Sequence, residues 1–125
     1  MIRGIGVDIL EIERIRRSME RYGDRFLGKV FTAQEIAYCT GKSNVCQHFA
    51  ARFASKEALS KALATGWRGE LRWKDVEVIN DTSGQPHIAL HGTLRKSLSA
   101  SSIFVTLSHS ETHVVAIVLI EDLSP

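Results

Sequence analysis

Two residues of opposite charge, Glu57 and Lys61, stand four positions apart in an alanine-rich stretch near the middle of the 125-residue chain. In a helix this spacing places both side chains on one face. A solvated pair of this kind contributes only about 0.2–0.5 kcal/mol, which does not explain two charges in a segment suited to burial. A carboxylate that holds a hard cation, beside an ammonium that contacts phosphate oxygens, would explain both residues.

Two other polar residues follow apolar segments that the sequence predicts to be strands. Asp8 ends the predicted strand 2–8 and has two interpretations there: a metal ligand, or the N-cap of the helix that follows. The spacing alone favours the N-cap. His109 comes after the apolar segment 103–107, between Ser108 and Ser110. A turn histidine with local hydrogen bonds and a site residue that contacts a phosphate are equally compatible with that position.

A long helix over about 45–65 must carry the central pair of charges, and Gly66 fits its C-terminal cap. Its many alanines favour the helical state and keep it thin enough for close packing. The predicted strand 2–8 contains Gly4 and Gly6, which allow another backbone or a ligand to approach closely. The predicted helix thus positions Glu57 and Lys61, and the predicted strand positions Asp8.

The remaining elements follow from periodicity and turn chemistry. Thr32 and Glu35 form a capping box at the start of a short helix. The segment 114–120 is continuously apolar, which indicates a strand buried on both faces. Residues 1–125 are predicted to form a single α+β domain in which helices, including the long central one, pack on a small antiparallel sheet. The other predicted elements are helices over 11–26, 32–40 and 92–100 and strands over 75–80, 87–91 and 103–107.

A stripe of arginines follows the predicted helix 11–26, with spacings of three, four and four residues beside an apolar stripe. A solvated charged face and a docking surface for an acidic partner are both compatible with it. Aromatic residues are not interleaved as base stacking requires, so nucleic acid is disfavoured as that partner. The stripe consists of Arg14, Arg17, Arg21 and Arg25.

Composition restricts the remaining possibilities. Hydrophobic residues make up 44% of the chain, yet no apolar run approaches the roughly 20 residues of a membrane span, so a cytoplasmic location is expected. The net charge of +2 is too small to require a nucleic-acid partner. Cys39 and Cys46 are expected to be free thiols, and together with His48 they lack the spacing of a zinc site. His87 and His91 are expected on the exposed face of a hairpin.

Three segments, taken together, resemble a known family. They are Gly-Ile-Gly-Val-Asp-Ile-Leu-Glu at 4–11, Arg-Phe-Ala-Ser-Lys-Glu-Ala-Leu-Ser-Lys-Ala at 52–62, and Thr-Leu-Ser-His-Ser at 106–110. In this order they are similar to the holo-[acyl-carrier-protein] synthases, the small bacterial class of 4′-phosphopantetheinyl transferases. The resemblance implies transfer of 4′-phosphopantetheine from coenzyme A to a serine of apo-acyl carrier protein. That reaction releases adenosine 3′,5′-bisphosphate and supports fatty acid biosynthesis.

The resemblance also implies roles for single residues. Asp8 and Glu57 match two acids that bind Mg²⁺, so the metal interpretation of Asp8 replaces the cap. Lys61 matches a catalytic lysine that faces the phosphates of coenzyme A. His109 matches a catalytic histidine near the nucleotide phosphates. Lys56 is expected to assist in binding coenzyme A, although its helical position turns it about 100° away from Glu57.

Some features of the site stay open under this resemblance. The resemblance implies that the proton of the serine is taken by an acidic residue, for which Glu57 and Glu35 are the candidates, or by an ordered water molecule near the metal. Ala64 stands where the family commonly has glycine, and His113 stands where an aromatic residue is frequent. Neither departure removes a proposed ligand, but both concern the fine specificity of the site.

The resemblance implies two protein partners. Acidic apo-acyl carrier protein would dock on the arginine stripe, where opposite charges speed encounter. Further copies of the chain would form a homotrimer with active sites between neighbouring subunits, although nothing in the periodicity indicates a trimer.

Two other classes of function compete with the transferase. A non-catalytic adaptor would use the arginine stripe, but it does not explain Asp8, Glu57 and Lys61 together with His109. A magnesium-dependent phosphohydrolase would use the same acids and lysine on a smaller substrate. It would release phosphate from coenzyme A in the absence of carrier protein.

Overall fold

The computed structural model describes residues 1–64 and 71–123, and it has the predicted α+β architecture. The first half is mainly helical after an initial strand, and the second half is mainly strand. The elements are β1 (Ile2–Glu11), α1 (Ile12–Tyr22), α2 (Asp24–Val30), α3 (Ala33–Thr40), α4 (Val45–Ala62), a 3₁₀ turn (Trp73–Asp75), β2 (Val76–Asn80), β3 (Pro86–Leu90), α5 (Gly92–Ser97), β4 (Ser101–His109) and β5 (His113–Asp122).

Antiparallel pairing joins the strands of the described residues into two sheets. The larger has the order β1-β5-β4, so the C-terminal strand lies in its middle. Along one row of this sheet, Asp8 pairs with Ala116, which pairs with Leu107. The smaller sheet is the β2–β3 hairpin, which runs from the pair Val76–Leu90 to the pair Asn80–Pro86 at its turn.

Helix α4 lies across the inner face of the larger sheet, and two glycines of β1 make this close packing possible. A Cβ atom built on Gly4 would lie 2.0 Å from the carbonyl oxygen of Ala62, and one on Gly6 would lie 2.0 Å from that of Ala58. Any side chain at either position would collide with the helix backbone. The predicted close approach at these glycines is therefore confirmed, and the approaching group is α4.

The outer face of the larger sheet is apolar and exposed in a single chain. Antiparallel sheets with one solvated face usually alternate apolar and polar residues. In β5 the inner residues are buried, whereas Ile117 on the other face is 39% exposed, so the predicted burial on both faces does not occur within one chain. The exposed apolar residues of this outer face are Ile5, Val7, Ile9, Phe104 and Ile117.

Several predicted boundaries were wrong. The helix predicted over 11–26 is divided into α1 and α2 at Gly23, whose φ of 53° interrupts the helical path. Helix α4 ends at Ala62, before the predicted end, and Ala64 follows with φ of 60°. Gly66, the predicted cap, and residues 67–70 of the predicted loop lie outside the described residues.

The capping box at the start of α3 is confirmed. The Thr32 side chain accepts a hydrogen bond from the Glu35 backbone N–H, and the Glu35 carboxylate accepts one from the Thr32 backbone N–H. Among the described helices, none combines the length and apolar character that are needed to cross a bilayer.

Candidate active site

Asp8 and Lys61 meet on the inner face of the larger sheet. The Lys61 ammonium donates to the Asp8 carboxylate and to the Val7 carbonyl oxygen, each at 3.0 Å. Asp8 lies within β1, which continues to Glu11, and not at the end of a strand as predicted. The N-cap interpretation of Asp8 was therefore wrong, because α1 begins only at Ile12 with Glu11 in the N-cap position.

The third residue of this group is Glu57, which lies on α4 one turn before Lys61. Successive inward residues of β1 face successively earlier turns of α4, since Gly4 faces Ala62 and Gly6 faces Ala58. The next inward residue of β1 is Asp8, so it faces the preceding turn of α4, which includes Glu57. Asp8, half-buried Glu57 and Lys61 therefore share one flank of α4, which we call the carboxylate flank.

The carboxylate flank has donor chemistry that fits Mg²⁺. No cluster of three or more His, Cys, Asp or Glu side chains suited to a metal occurs in residues 1–64 and 71–123. On this flank, the described residues therefore offer two carboxylates as possible ligands, Asp8 and Glu57. Mg²⁺ is commonly held by one or two carboxylates while water and substrate phosphates supply the remaining oxygens. Structural zinc sites instead use four protein ligands.

Lys56 does not belong to this flank. Its side chain is completely buried and forms an ion pair with Glu35, with a separation of 2.8 Å between Nζ and Oε1. Nζ also donates to the carbonyl oxygens of Val30, Trp73 and Val76 at 2.6–3.0 Å. An ammonium has only three N–H groups, so these four acceptors occupy it fully. The expectation that Lys56 assists in binding coenzyme A does not fit this geometry.

Glu35 is equally unsuited to accept the proton of a substrate. The residue is 1% exposed, and its second carboxylate oxygen accepts a hydrogen bond from the Val78 backbone N–H. With Lys56 and the Thr32 backbone N–H on the first oxygen, both oxygens have partners inside the protein. Of the two candidates from the sequence, Glu57 alone lies beside Asp8 and Lys61.

The opposite flank of α4 carries a second cationic group, which sequence reasoning did not assign. Arg52 lies nine residues, or about two and a half helical turns, before Lys61, so the two side chains lie on opposite sides of the helix. With His48 and His109 it lines an open cleft of about 500 Å³, so we call this side of α4 the cationic flank. Burial lowers the pKa of His48, and the neighbouring charges of Arg52, Lys42 and His109 lower it further.

Arg52 is the most constrained member of the cationic flank. It is 2% exposed, its guanidinium lies 4.2 Å from the centre of the Tyr38 ring, and Nη2 donates to the Asn80 side chain at 2.6 Å. Its Nε is buried without a hydrogen-bond partner among the described residues. A spacing of four residues between His48 and Arg52, parallel to that of Glu57 and Lys61, was the available signal in the sequence.

His109 and Asp8 are not brought together within one chain. His109 ends β4 and pairs with Val114, which pairs with Leu10. His109 therefore lies two strands across and two residues along from Asp8, roughly 12 Å away at ordinary strand spacings. The predicted site residues thus divide between the two flanks of α4, with His109 on the cationic side.

The predicted arginine stripe does not follow one helix. Arg14, Arg17 and Arg21 lie on α1, whereas Arg25 lies on α2, beyond the break at Gly23. All four residues are exposed. Arg16 beside them pairs with Glu13 and lines a second open cleft, of about 730 Å³, together with His109.

The histidines and cysteines outside the site lie where the sequence predicted. His87 and His91 are exposed, and their imidazoles contact the carboxylates of Asp81 and Glu77. Both cysteines are free thiols. Burial raises the pKa of Cys39 to about 11, which disfavours the thiolate that a metal would require.

Comparisons with known proteins agree with this architecture. The sequence profile of the 4′-phosphopantetheinyl transferase superfamily matches residues 4–118. The holo-[acyl-carrier-protein] synthase of Koribacter versatilis is 45% identical over 125 residues, which covers 98% of this chain and all of that protein. The chain therefore belongs to the 4′-phosphopantetheinyl transferase superfamily, and within it to the holo-[acyl-carrier-protein] synthases.

Solved structures extend the likeness to the fold. The crystal structure of holo-[acyl-carrier-protein] synthase from Neisseria meningitidis matches with a TM-score of 0.91 at 33% identity, covering 98% of this chain and all of that one. The enzyme from Bacillus anthracis in complex with CoA (3′,5′-ADP) matches with a TM-score of 0.83 at 35% identity, covering 98% of each chain.

Proposed function

We propose that this protein transfers 4′-phosphopantetheine from coenzyme A to a serine hydroxyl of apo-acyl carrier protein. The observation that carries the proposal is the carboxylate flank, where the Lys61 ammonium contacts Asp8 beside Glu57. In the reaction, the serine Oγ forms a bond to the β-phosphorus of the pyrophosphate, and the bond from that phosphorus to the bridging oxygen breaks. The products are holo-acyl carrier protein and adenosine 3′,5′-bisphosphate.

This chemistry depends on the charges of the carboxylate flank. Asp8 and Glu57 would hold Mg²⁺, which when bound supplies charge neutralisation at the pyrophosphate oxygens. Lys61 is half-exposed, so its ammonium can turn towards the leaving phosphate as negative charge grows there. Glu57 would accept the serine proton directly or through a water molecule, since Glu35 is fully occupied elsewhere.

The cationic flank supports binding of the nucleotide end of coenzyme A. Arg52, His48 and His109 line one cleft, and no acceptor for the buried Arg52 Nε–H occurs in the part of the chain that the structure describes. Leaving a charged donor buried without an acceptor is costly, whereas a phosphate oxygen would satisfy it. We therefore assign the phosphates of the adenosine 3′,5′-bisphosphate moiety to this cleft.

A homotrimer is part of the proposal because a single chain leaves two features incomplete. The apolar outer face of the larger sheet is exposed, which marks an association surface. The carboxylate and cationic flanks also lie on opposite sides of α4, so a single chain does not bring Asp8 and His109 together. A neighbouring copy that covers part of the outer face would bring its cationic flank towards the carboxylate flank of the first.

The exposed arginines support docking of an acidic carrier protein. Arg14, Arg17 and Arg21 present positive charge along α1, and Arg25 continues it on α2. Attraction between exposed charges acts mainly on the rate of encounter and weakens as salt is added. We place this enzyme in the cytoplasm, where it would supply holo-acyl carrier protein for fatty acid biosynthesis.

Intact mass spectrometry tests the transfer directly. Apo-acyl carrier protein incubated with coenzyme A, Mg²⁺ and this protein should gain one phosphopantetheine. The gain should disappear with EDTA and with Glu57→Gln, whereas Glu121→Gln, at the far end of β5, should retain it. Sedimentation of the same enzyme should give three times the 13.9 kDa of one chain.

Two results would contradict the proposal. Absence of any mass gain with several folded apo carriers would remove the transferase. Release of phosphate from coenzyme A without carrier protein would instead favour a phosphohydrolase that uses the same acids.

A further inference from the structure

We infer that Asn80 is a positioning residue that joins the turn of the β2–β3 hairpin to Arg52, and thereby sets the shape of the cationic cleft. The inference rests on the proposed function, because it assumes that this cleft receives the nucleotide phosphates of coenzyme A. Asn80 does not need to touch the substrate for this role. It acts through the two groups that its side-chain amide connects.

On one side, Asn80 fixes the guanidinium of Arg52. Its side-chain oxygen accepts the hydrogen bond from Nη2 at 2.6 Å, while the Tyr38 ring covers the guanidinium at 4.2 Å. A planar guanidinium that is held by an acceptor and by a ring face has little freedom to rotate. The orientation of its free Nε–H group is therefore determined by Asn80 and Tyr38 together.

On the other side, Asn80 fixes the hairpin turn. Its side-chain nitrogen donates to the carbonyl oxygen of Gly84 at 2.9 Å. Gly84 has a φ of 90°, a conformation that glycine adopts without strain. The same amide group therefore holds both a buried cation and the backbone of an exposed turn.

Asp81 makes this turn rigid. Its carboxylate accepts hydrogen bonds from the backbone N–H groups of Ser83 and Gln85 and from the Ser83 hydroxyl, and it contacts the His87 imidazole. These hydrogen bonds, with that of the Ser83 side chain the strongest, hold the pKa of Asp81 well below its ordinary value. The turn is thus organised before any ligand arrives.

The two groups that Asn80 connects both line one cleft. Gly84, Gln85 and Pro86 belong to the hairpin wall of this cleft, Arg52 lines it from α4, and His109 lines it from the end of β4. If Asn80 were only a turn residue, its loss would lower stability without affecting ligand binding. If it couples the walls, its loss would displace both the turn and the guanidinium, and would weaken binding in the folded protein.

The test is calorimetric binding of adenosine 3′,5′-bisphosphate to the full-length protein. Asn80→Ala should weaken binding about tenfold, the loss expected for one hydrogen bond to a charged group. The KM for coenzyme A should rise similarly, with kcat and the KM for carrier protein unchanged. Thr82→Ala, an exposed substitution in the same turn, is the matched control and should bind as the unaltered protein does.

A second variant separates the two contacts of Asn80. Asp81→Ala loosens the turn but leaves the Arg52–Asn80 hydrogen bond in place, so it should weaken binding by a smaller factor than Asn80→Ala. Asp81→Ala also tests the inference if Asn80→Ala folds poorly. If the turn is coupled to Arg52 through Asn80, Asp81→Ala must change binding too.

The outcomes distinguish this inference from the proposed function. If Arg52→Met loses binding while Asn80→Ala and Asp81→Ala bind as Thr82→Ala does, the coupling is wrong and the cleft assignment stands. If Arg52→Met also binds normally, the cleft assignment and the coupling both fail. Normal binding without transfer to any carrier protein would contradict the proposed reaction alone.

Discussion

Helix α4 carries two lysines, five residues apart, whose ion pairs are similar in length and differ in burial. Lys56 lies 2.8 Å from Glu35, and Lys61 lies 3.0 Å from Asp8. Both side chains of the first pair are completely buried, whereas the Lys61 side chain is 53% exposed and that of Asp8 is 15% exposed. The chemistry of the two pairs is the same, so burial determines what each can do.

The buried pair joins segments of the chain. Through Lys56, α4 is tied to α3, to the end of α2 and to the start of β2. Removing one partner of such a pair leaves an uncompensated charge in a medium that solvates it poorly. Opening the pair of Lys61 and Asp8 costs little free energy, because water can replace the contact at the half-exposed lysine. Lys61 can therefore exchange Asp8 for a phosphate, and Lys56 cannot.

The largest effect is expected from Lys56→Met. This substitution keeps the approximate volume of the side chain but removes the ammonium from the Glu35 carboxylate and from three carbonyl oxygens. We expect the free energy of unfolding to fall by about 3–5 kcal/mol. Urea unfolding followed by circular dichroism measures it, with Lys61→Met as the matched substitution on the same helix. A loss below about 1 kcal/mol would mean that the buried pair is not structural.

Lys61→Met should show the opposite profile. The free energy of unfolding should change by less than about 1 kcal/mol, because the Lys61 side chain is half-exposed and water can replace its contact with Asp8. Transfer to apo-acyl carrier protein should fall about 100-fold in kcat, as expected when a charge that stabilises a transition state is removed. Steady-state kinetics with both variants, well below their melting temperatures, would separate the two lysines. Equal loss of activity and stability in Lys61→Met would contradict the distinction.

The sequence could predict that Glu57 and Lys61 lie together because that signal is local. Glu57 and Lys61 share a face by helical spacing alone, and the glycines of β1 indicated a close approach, which α4 makes. Asp8 required more than spacing, since its spacing alone favoured a helix cap. The family resemblance supplied the metal interpretation, and the length of β1 then excluded the cap.

The sequence did not reveal the features that depend on which side of a helix or strand is covered by other parts of the chain. Lys56 was expected near the coenzyme because it adjoins Glu57, but the residues that surround it come from α2, α3 and β2, far away in sequence. The pairing of Arg52 with Asn80 spans 28 residues and leaves no periodic signal. The break at Gly23 was missed because the apolar period continues across it, from α1 into α2.

The smallest effect concerns Ala64, just beyond the end of α4 that carries the exposed pair. Its φ of 60° lies in the left-handed region, which costs a residue with a Cβ atom roughly 1–2 kcal/mol. Ala64→Gly relieves this strain. Glycine also raises the conformational entropy of the unfolded chain, which offsets part of the gain in stability. We expect the free energy of unfolding to rise by about 0.5–1 kcal/mol, with transfer activity within twofold.

A matched substitution at Ala37 provides the control for this small effect. Ala37 is exposed within α3, where glycine should lower the free energy of unfolding by about 1 kcal/mol. The same chemical change should therefore have opposite signs at the two positions. If Ala64→Gly destabilises the protein as Ala37→Gly does, the backbone after Lys61 is not strained. The backbone that follows Lys61 would then be as regular as the part of α4 that carries Lys56.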